Sequence, residues 1–293
     1  MENVTLHLNG QDLFIRLWGD PANPPLIMLH GFPENADGFR ELAPLLAGDF
    51  YCIVPNQRGY GRSSAPEGID NYRVSALTAD ILALIDHFSP DTSVALLGHD
   101  WGAAVAYSVA IAAPARIAKL VIMNGVHPIP FQDALGAGGA QTEASQYINW
   151  LRDPGSTDQL AANDFTKMVA MFRHGMDTAF LTPERLAEYK TEWARPGRMD
   201  AMINWYRASP LRVPAPGKTL PAQDRITMDP AKMRITMPHL LIWGEADNAL
   251  KPETRDAIAP LCDDLKIVLI ADADHWLHHQ KPAEIAAEIL NFL

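Results

Sequence analysis

Hydrophobic and polar positions alternate with a period of two from Thr5 to Trp18, which predicts early antiparallel strands. Beyond Trp18 the pattern changes. Short, nearly continuous apolar runs follow at Pro25–Leu29, Tyr51–Pro55, Val94–Leu97, Lys119–Asn124, His239–Trp243 and Leu265–Ile270. Between them lie stretches with apolar residues at helical spacing, such as Leu77, Ile81, Leu84, Ile85 and Phe88 within 74–88, and the segments 253–261 and 282–293. Strands without a polar face, alternating with helices, predict a parallel sheet covered on both sides. The rhythm breaks after Val126. From His127 to about Thr236 no run of the strand type occurs, and apolar residues recur at helical spacing. Breaks fall at Asp153-Pro154-Gly155, Arg195-Pro196-Gly197 and Val213-Pro214-Ala215-Pro216-Gly217. This predicts a core domain formed by 1–126 and 237–293, with a helical lid inserted at 127–236.

Chemistry enters at the third strand of the parallel series. Val94-Ala95-Leu96-Leu97 leads into Gly98-His99-Asp100-Trp101-Gly102, and a small-residue helix follows from Ala103. Strand, tight turn and helix with glycine on both flanks is the nucleophile elbow of the α/β-hydrolase fold. The central residue is Asp100, not serine. A carboxylate attacks directly, without a base to remove a proton. On an acyl carbon it would form an anhydride, a poor route to hydrolysis. On an sp³ carbon with a leaving group it forms an ordinary ester. The substitution therefore points to epoxide opening or halide displacement rather than to an esterase.

An ester on Asp100 has to be cleaved by activated water, which calls for a histidine oriented by a carboxylate. In this architecture both follow later strands, in the order nucleophile, acid, histidine. Asp247 lies just past the run ending at Trp243, and His275 just past the run ending at Ile270. Glu245 is a competitor for the acid. Asp272 and Asp274 sit too near His275 in sequence to orient it and read as solvated loop charges. Asn124, where some related enzymes carry the acid, is uncharged. His278 and His279 read as surface or helix-start residues, and His30 and His99 as packed neighbours of the elbow. The backbone N–H groups of Phe32 and Trp101 are the expected oxyanion hole.

Bulk properties narrow the class further. The net charge of −11 and a pI near 5.3 argue against a nucleic-acid partner or an anionic membrane surface. No apolar run approaches the roughly 20 residues that span a bilayer. Two cysteines, Cys52 and Cys262, with no C-x-x-C, support neither a disulfide framework nor a zinc site. The N-terminus lacks a basic and then apolar leader. The expectation is a cytoplasmic enzyme, monomer or homodimer, with no metal and no cofactor.

The chain resembles the α/β-hydrolase epoxide hydrolases of the soluble type over nearly its whole length. The matching pieces are His30-Gly31-Phe32-Pro33-Glu34, Gly59-Tyr60-Gly61-Arg62-Ser63-Ser64-Ala65-Pro66, Gly98-His99-Asp100-Trp101-Gly102 and His275-Trp276. Most of these are shared with dehalogenases of the same superfamily. The resemblance implies two lid tyrosines that donate to the epoxide oxygen. Asn204-Trp205-Tyr206-Arg207 matches one, and Gln146-Tyr147-Ile148-Asn149-Trp150, before Asp153-Pro154-Gly155, matches the other. It departs from the family at Ile148, where glutamine is usual, and at Trp150 and Leu151. It further implies a small apolar epoxide as substrate, in a pocket walled by Phe32, Trp101, Ile148, Trp150 and Trp276.

Two rival classes remain open at this point, a dehalogenase of either of two kinds and a non-catalytic protein. A haloalkane dehalogenase would use Trp101 and a second donor, Trp150 or Trp205. A haloacid enzyme would need arginines where this chain has Trp101 and Ala104. A non-catalytic protein on the same fold would be expected to lack one of Asp100, Asp247 and His275. Lid residues Met168, Met171, Phe172, Met176, Met199 and Met202 fit either an adaptable cavity or ordinary helix packing.

Overall fold

The computed structural model describes residues 1–293. Eight strands form one sheet: β1 (Glu2–Leu8), β2 (Gln11–Trp18), β3 (Pro25–Leu29), β4 (Tyr51–Pro55), β5 (Val94–His99), β6 (Ile117–Met123), β7 (His239–Gly244) and β8 (Leu265–Ile270). Their order is β1-β2-β4-β3-β5-β6-β7-β8. The alternating segment becomes the hairpin of β1 and β2. Its two-residue turn is Asn9-Gly10, with φ of 50° and 70°, the geometry that matches strand twist. β2 also runs antiparallel to β4, and every pairing from β3 onward is parallel.

The parallel strands are apolar on both faces because both faces are covered. In β5, Leu96 packs into the core on one side and Leu97 into the core on the other. In β7, Leu241 and Trp243 oppose Leu240 and Ile242 in the same way. Helices Val74–Phe88 and Trp101–Ala112 cover the first face, and Pro282–Phe292 the second.

Between β6 and β7 the chain forms no strand. Only an isolated bridge, Ile235 to Cys262, precedes β7. Helices Pro128–Gly136, Ala140–Ala144, Gln146–Arg152, Ser156–Arg173, Pro183–Trp193 and Arg198–Ala208 occupy this stretch. The Pro-Gly breaks fall between helices, and Gly155 and Gly197 take φ of 80° and 69°. One break was not visible in the pattern. Within Ser156–Arg173 the residues Asn163, Asp164 and Phe165 have φ of 50°, 53° and 61°. Asn and Asp tolerate that left-handed conformation, and Phe165 is held there with its ring 5.8 Å from that of Trp193. The helix expected over 253–261 is also shorter. It runs from Pro252 to Asp256, and a 3-10 turn covers Ala259–Leu261. Pro260 has no N–H to continue the helical ladder. No helix is long and apolar enough to cross a membrane.

Candidate active site

β5 delivers Asp100 to the carboxyl edge of the sheet. Its φ of 51° and ψ of −121° lie outside the ordinary regions, a strain that the surrounding packing sustains. The close approaches explain the flanking glycines. A Cβ on Gly98 would sit 2.6 Å from the Gly102 carbonyl oxygen, and one on Gly102 would sit 2.0 Å from the Leu29 carbonyl oxygen. The turn leaves the Asp100 side chain 18% exposed. Its Oδ1 accepts from the Phe32 N–H at 2.8 Å, and its Oδ2 lies 3.5 Å from His275 Nε2.

On its other side His275 meets Asp247, with Nδ1 2.8 Å from Oδ2. Asp247 is buried and saturated with donors. Oδ1 accepts from the Ala249 and Leu250 N–H groups at 2.7 and 2.9 Å, and Oδ2 also accepts from Asn124 Nδ2 at 2.5 Å. Burial pushes the Asp247 carboxyl up, but the His275 charge and these hydrogen bonds outweigh it and hold it below its ordinary value. For His275, burial favours the neutral ring. The charges of Asp247 and Asp100 and the bonds to them outweigh burial and push it up to about 10. Asp247, His275 and Asp100 thus lie in one line, with a hydrogen bond between the first two and an ion-pair contact between the last two. Glu245 and Asp272 are exposed and outside it.

Two expectations about this loop need correction. Asp274 is not a solvated charge. It is buried, with Oδ1 accepting from the Trp276 N–H at 2.9 Å and Oδ2 from the Asp177 N–H at 2.7 Å. His278 and His279 fall in the short helix Leu277–Gln280, but both are buried rather than on the surface. They pack on Glu34, with contacts of 3.3 Å from His278 Nε2 and 2.8 Å from His279 Nε2. Tyr189 donates to the same carboxylate at 2.6 Å. Burial disfavours the Glu34 charge, yet His279 and these donors hold it well below its usual range. His99 lies between this cluster and His275, its ring centroid 4.4 Å from that of His278 and 4.8 Å from that of His275. Its Nε2 donates to the His275 carbonyl at 2.8 Å, and burial keeps its ring neutral. The ligand atoms of Glu34, His99 and His278 lie within 4.8 Å of one another. His278, His279 and Tyr189 engage Glu34, and His99 packs on His278 and bonds the His275 carbonyl, so the cluster braces the His275 loop. His30 accepts from the Gln57 N–H at 3.1 Å and is a packed neighbour of the elbow.

Two cavities meet at Asp100. The first, about 320 Å³, is lined by Trp101, Ile148 and mostly apolar side chains from helices Val74–Phe88 and Pro128–Gly136 and from 209–233. The second, about 380 Å³, is lined by Phe32, Trp150, Trp276, Met171, Phe172 and Met176. Asp100, Tyr147 and Tyr206 line both. The five residues expected in the pocket are therefore divided between two chambers. Met168, Met199 and Met202 instead pack in the core.

The tyrosines come from helices Gln146–Arg152 and Arg198–Ala208, with ring centroids 6.1 Å apart. Tyr206 stands edge-on to Phe32 at 5.3 Å and Trp101 at 5.1 Å. Burial raises both phenols, the Asp100 charge adds to the effect, and both stay protonated donors at neutral pH. Arg152 ties the two helices together, with Nε donating to the Tyr206 carbonyl at 2.8 Å. Trp205 anchors the second helix to the core by donating to the Arg58 carbonyl at 3.0 Å.

This fold and elbow define a class. The α/β-hydrolase fold family matches residues 24–282, and the chain belongs to it. Among its relatives, the AB hydrolase superfamily protein YfhM of Bacillus subtilis is 32% identical over 98% of this chain and 96% of its own length. Epoxide hydrolase A of Mycobacterium tuberculosis is 29% identical over 97% and 95%. A solved structure described among novel epoxide hydrolases from metagenomes of hot environments superposes with a TM-score of 0.90 and 33% identity, covering 100% of this chain and 98% of that one. The epoxide hydrolase of Bacillus megaterium, solved with an inhibitor, gives 0.88 and 25%, covering 99% of each chain.

Proposed function

We propose that the protein is an epoxide hydrolase that converts an epoxide to a vicinal diol through an ester on Asp100, with 127–236 acting as a lid over the core. The observation that carries the reading is the placement of two protonated phenols on the same cavity walls as an elbow carboxylate. An alkoxide leaving group is strongly basic and needs such donors, whereas halide does not. The relatives and solved structures named above support the same activity.

The charges suggest how the steps are ordered. Asp100 attacks an epoxide carbon, the C–O bond breaks, and Tyr147 or Tyr206 delivers a proton to the oxygen. Esterification removes the Asp100 negative charge, one of the influences that hold the proton on His275. The imidazolium then returns a proton to the tyrosinate and becomes the neutral base. It takes a proton from water, which attacks the ester carbonyl. The oxyanion is stabilised by the Phe32 and Trp101 N–H groups. On collapse the departing oxygen takes the proton back from His275, releasing the diol, and the Asp100 carboxylic acid then gives its proton to His275, which restores the carboxylate and the imidazolium.

The test is an activity panel of styrene oxide and aliphatic epoxides against bromobutane and haloacetates. Diol formation without halide release is expected. Halide release without diol formation would replace this reading with a dehalogenase.

A further inference from the structure

The 320 Å³ chamber carries one charge besides that of Asp100. Among the residues lining it, only Asp100 and Arg152 are charged, and the rest are apolar apart from tyrosines, Ser108 and Ser209. Arg152 is the last residue of helix Gln146–Arg152. Its Nε donates to the Tyr206 carbonyl at 2.8 Å and its Nη2 to the Ser209 carbonyl at 3.1 Å. Both acceptors lie at the end of helix Arg198–Ala208, so Arg152 serves partly as a C-terminal cap.

Capping uses only part of the group. Nη1 makes no hydrogen bond within the protein and is not sealed away from solvent. No carboxylate lies within ion-pair distance of it, and burial alone shifts its pKa, downward. Arg58 and Arg185, by contrast, are paired with Asp80 and Glu41. The guanidinium thus keeps its charge and one fork nitrogen free beside an apolar chamber, and its planar fork matches a carboxylate. Ser209, whose carbonyl meets Nη2, also lines the chamber.

We propose that Arg152 and Ser209 form an anion-binding subsite in this chamber, and that the preferred epoxide carries a carboxylate a short spacer away from its ring. The inference rests on the epoxide hydrolase reading above for the ring, but not for the anion. The spacing follows from the connection. Arg152 holds the main chain of Tyr206 itself, so anion and epoxide oxygen are separated by no more than about one tyrosine side chain and its hydrogen bonds. The arginines that would clamp a carboxylate beside the nucleophile are missing at Trp101 and Ala104, and Arg152 is the one cation that lines the same chamber.

The experiment compares a terminal epoxyheptanoate with its methyl ester, together with the binding of heptanoate and heptanol measured by calorimetry. The wild-type enzyme is expected to favour the acid over the ester through KM, by roughly ten- to a hundredfold, as for loss of a charge-assisted hydrogen bond pair. In Arg152→Gln that ratio falls towards one whatever the absolute rate, and Arg152→Lys keeps part of it. Heptanoate is expected to bind the wild type more tightly than heptanol. Equal KM values for acid and ester in the wild type would overturn the subsite. So would an Arg152→Gln enzyme that loses both substrates in equal proportion, which is the outcome for a cap alone. If neither epoxide is opened, the epoxide hydrolase reading falls while heptanoate binding still decides the subsite: binding no tighter than heptanol rejects it, and tighter binding that Arg152→Gln abolishes upholds it. Should Arg152→Gln fail to fold, the wild-type ratio and Arg152→Lys decide the matter.

Discussion

Asn124 donates to Asp247 Oδ2 at 2.5 Å, the same oxygen that accepts from His275 Nδ1. Its own Oδ1 accepts from the Gly244 N–H at 2.7 Å, so one amide joins the end of β6 to the end of β7 and fixes the acid between them. Its φ of 32° is one that asparagine tolerates and alanine does not. Asn124→Ala is expected to cost about 1–3 kcal/mol of stability, for a buried donor and acceptor left unpaired. It should also slow ester hydrolysis more than ester formation. Urea unfolding and pre-steady-state kinetics check the two halves, and a variant as stable and fast as the wild type rejects the tie.

The chain shows its fold plainly because strand burial is local in sequence. Apolar runs such as Leu96-Leu97 and Leu240–Trp243 mark strands buried on both faces, and the Pro-Gly breaks mark helix ends. Asp100, Asp247 and His275 could be picked out because each follows an apolar run. The brace beneath them could not. His278 and His279 meet Glu34 across 244 and 245 residues of chain, and Asp274 meets the Asp177 N–H across 97. No period reports such partners, so the histidines read as surface groups and the aspartate as a solvated charge. Asn124 was passed over for being uncharged, although its amide is what the carboxylate needs. A histidine pair following His-Trp, with a glutamate in the loop after β3, was the one available hint of a buried network.

The tyrosine pair gives a second expectation. Tyr147→Phe and Tyr206→Phe should each slow ester formation by roughly ten- to a thousandfold, the range of a general acid. The double variant should nearly abolish it. Both rings line the walls shared by the two chambers, so one hydroxyl covers in part for the other. Stopped-flow quenching of Trp101 and Trp205 fluorescence follows the step. Normal turnover by the double variant would remove the tyrosines from the mechanism.

The raised pKa of His275 has a consequence for stability. The folded value of about 10 exceeds the ordinary 6.5. The folded state therefore holds a proton that the unfolded chain gives up. The stabilisation is complete below pH 6.5 and is lost as the pH rises through 10. Wild type should exceed His275→Gln in urea midpoint near neutrality, and the gap should shrink steadily above it. A gap that stays constant or widens towards high pH would show that the imidazolium is not held as described.

The same variant separates the two chemical steps. Asp100 needs no base to attack, so His275→Gln should form the ester and stall there. Intact-protein mass spectrometry should show an adduct of one substrate mass, absent in Asp100→Asn. An inactive His275→Gln enzyme without adduct means that His275 acts before any ester exists.

The origin of the product oxygen tests the covalent route most directly. If Asp100 attacks carbon and water then attacks the Asp100 carbonyl, the oxygen given to the diol is a former carboxylate oxygen, and the water oxygen stays on the enzyme. A single turnover with excess enzyme in heavy-oxygen water should give mostly unlabelled diol. The label should appear in the peptide that contains Asp100. Water attacking the epoxide directly, with Asp100 as its base, would label the diol at once. The geometry favours the first course. Asp100 stands on a turn that aims its side chain into both chambers, and Phe32 N–H already donates to Oδ1 at 2.8 Å. That donor is well placed for an oxyanion on Asp100 and has no comparable role if water attacks a distant carbon. Fully labelled diol from the first turnover would refute the ester.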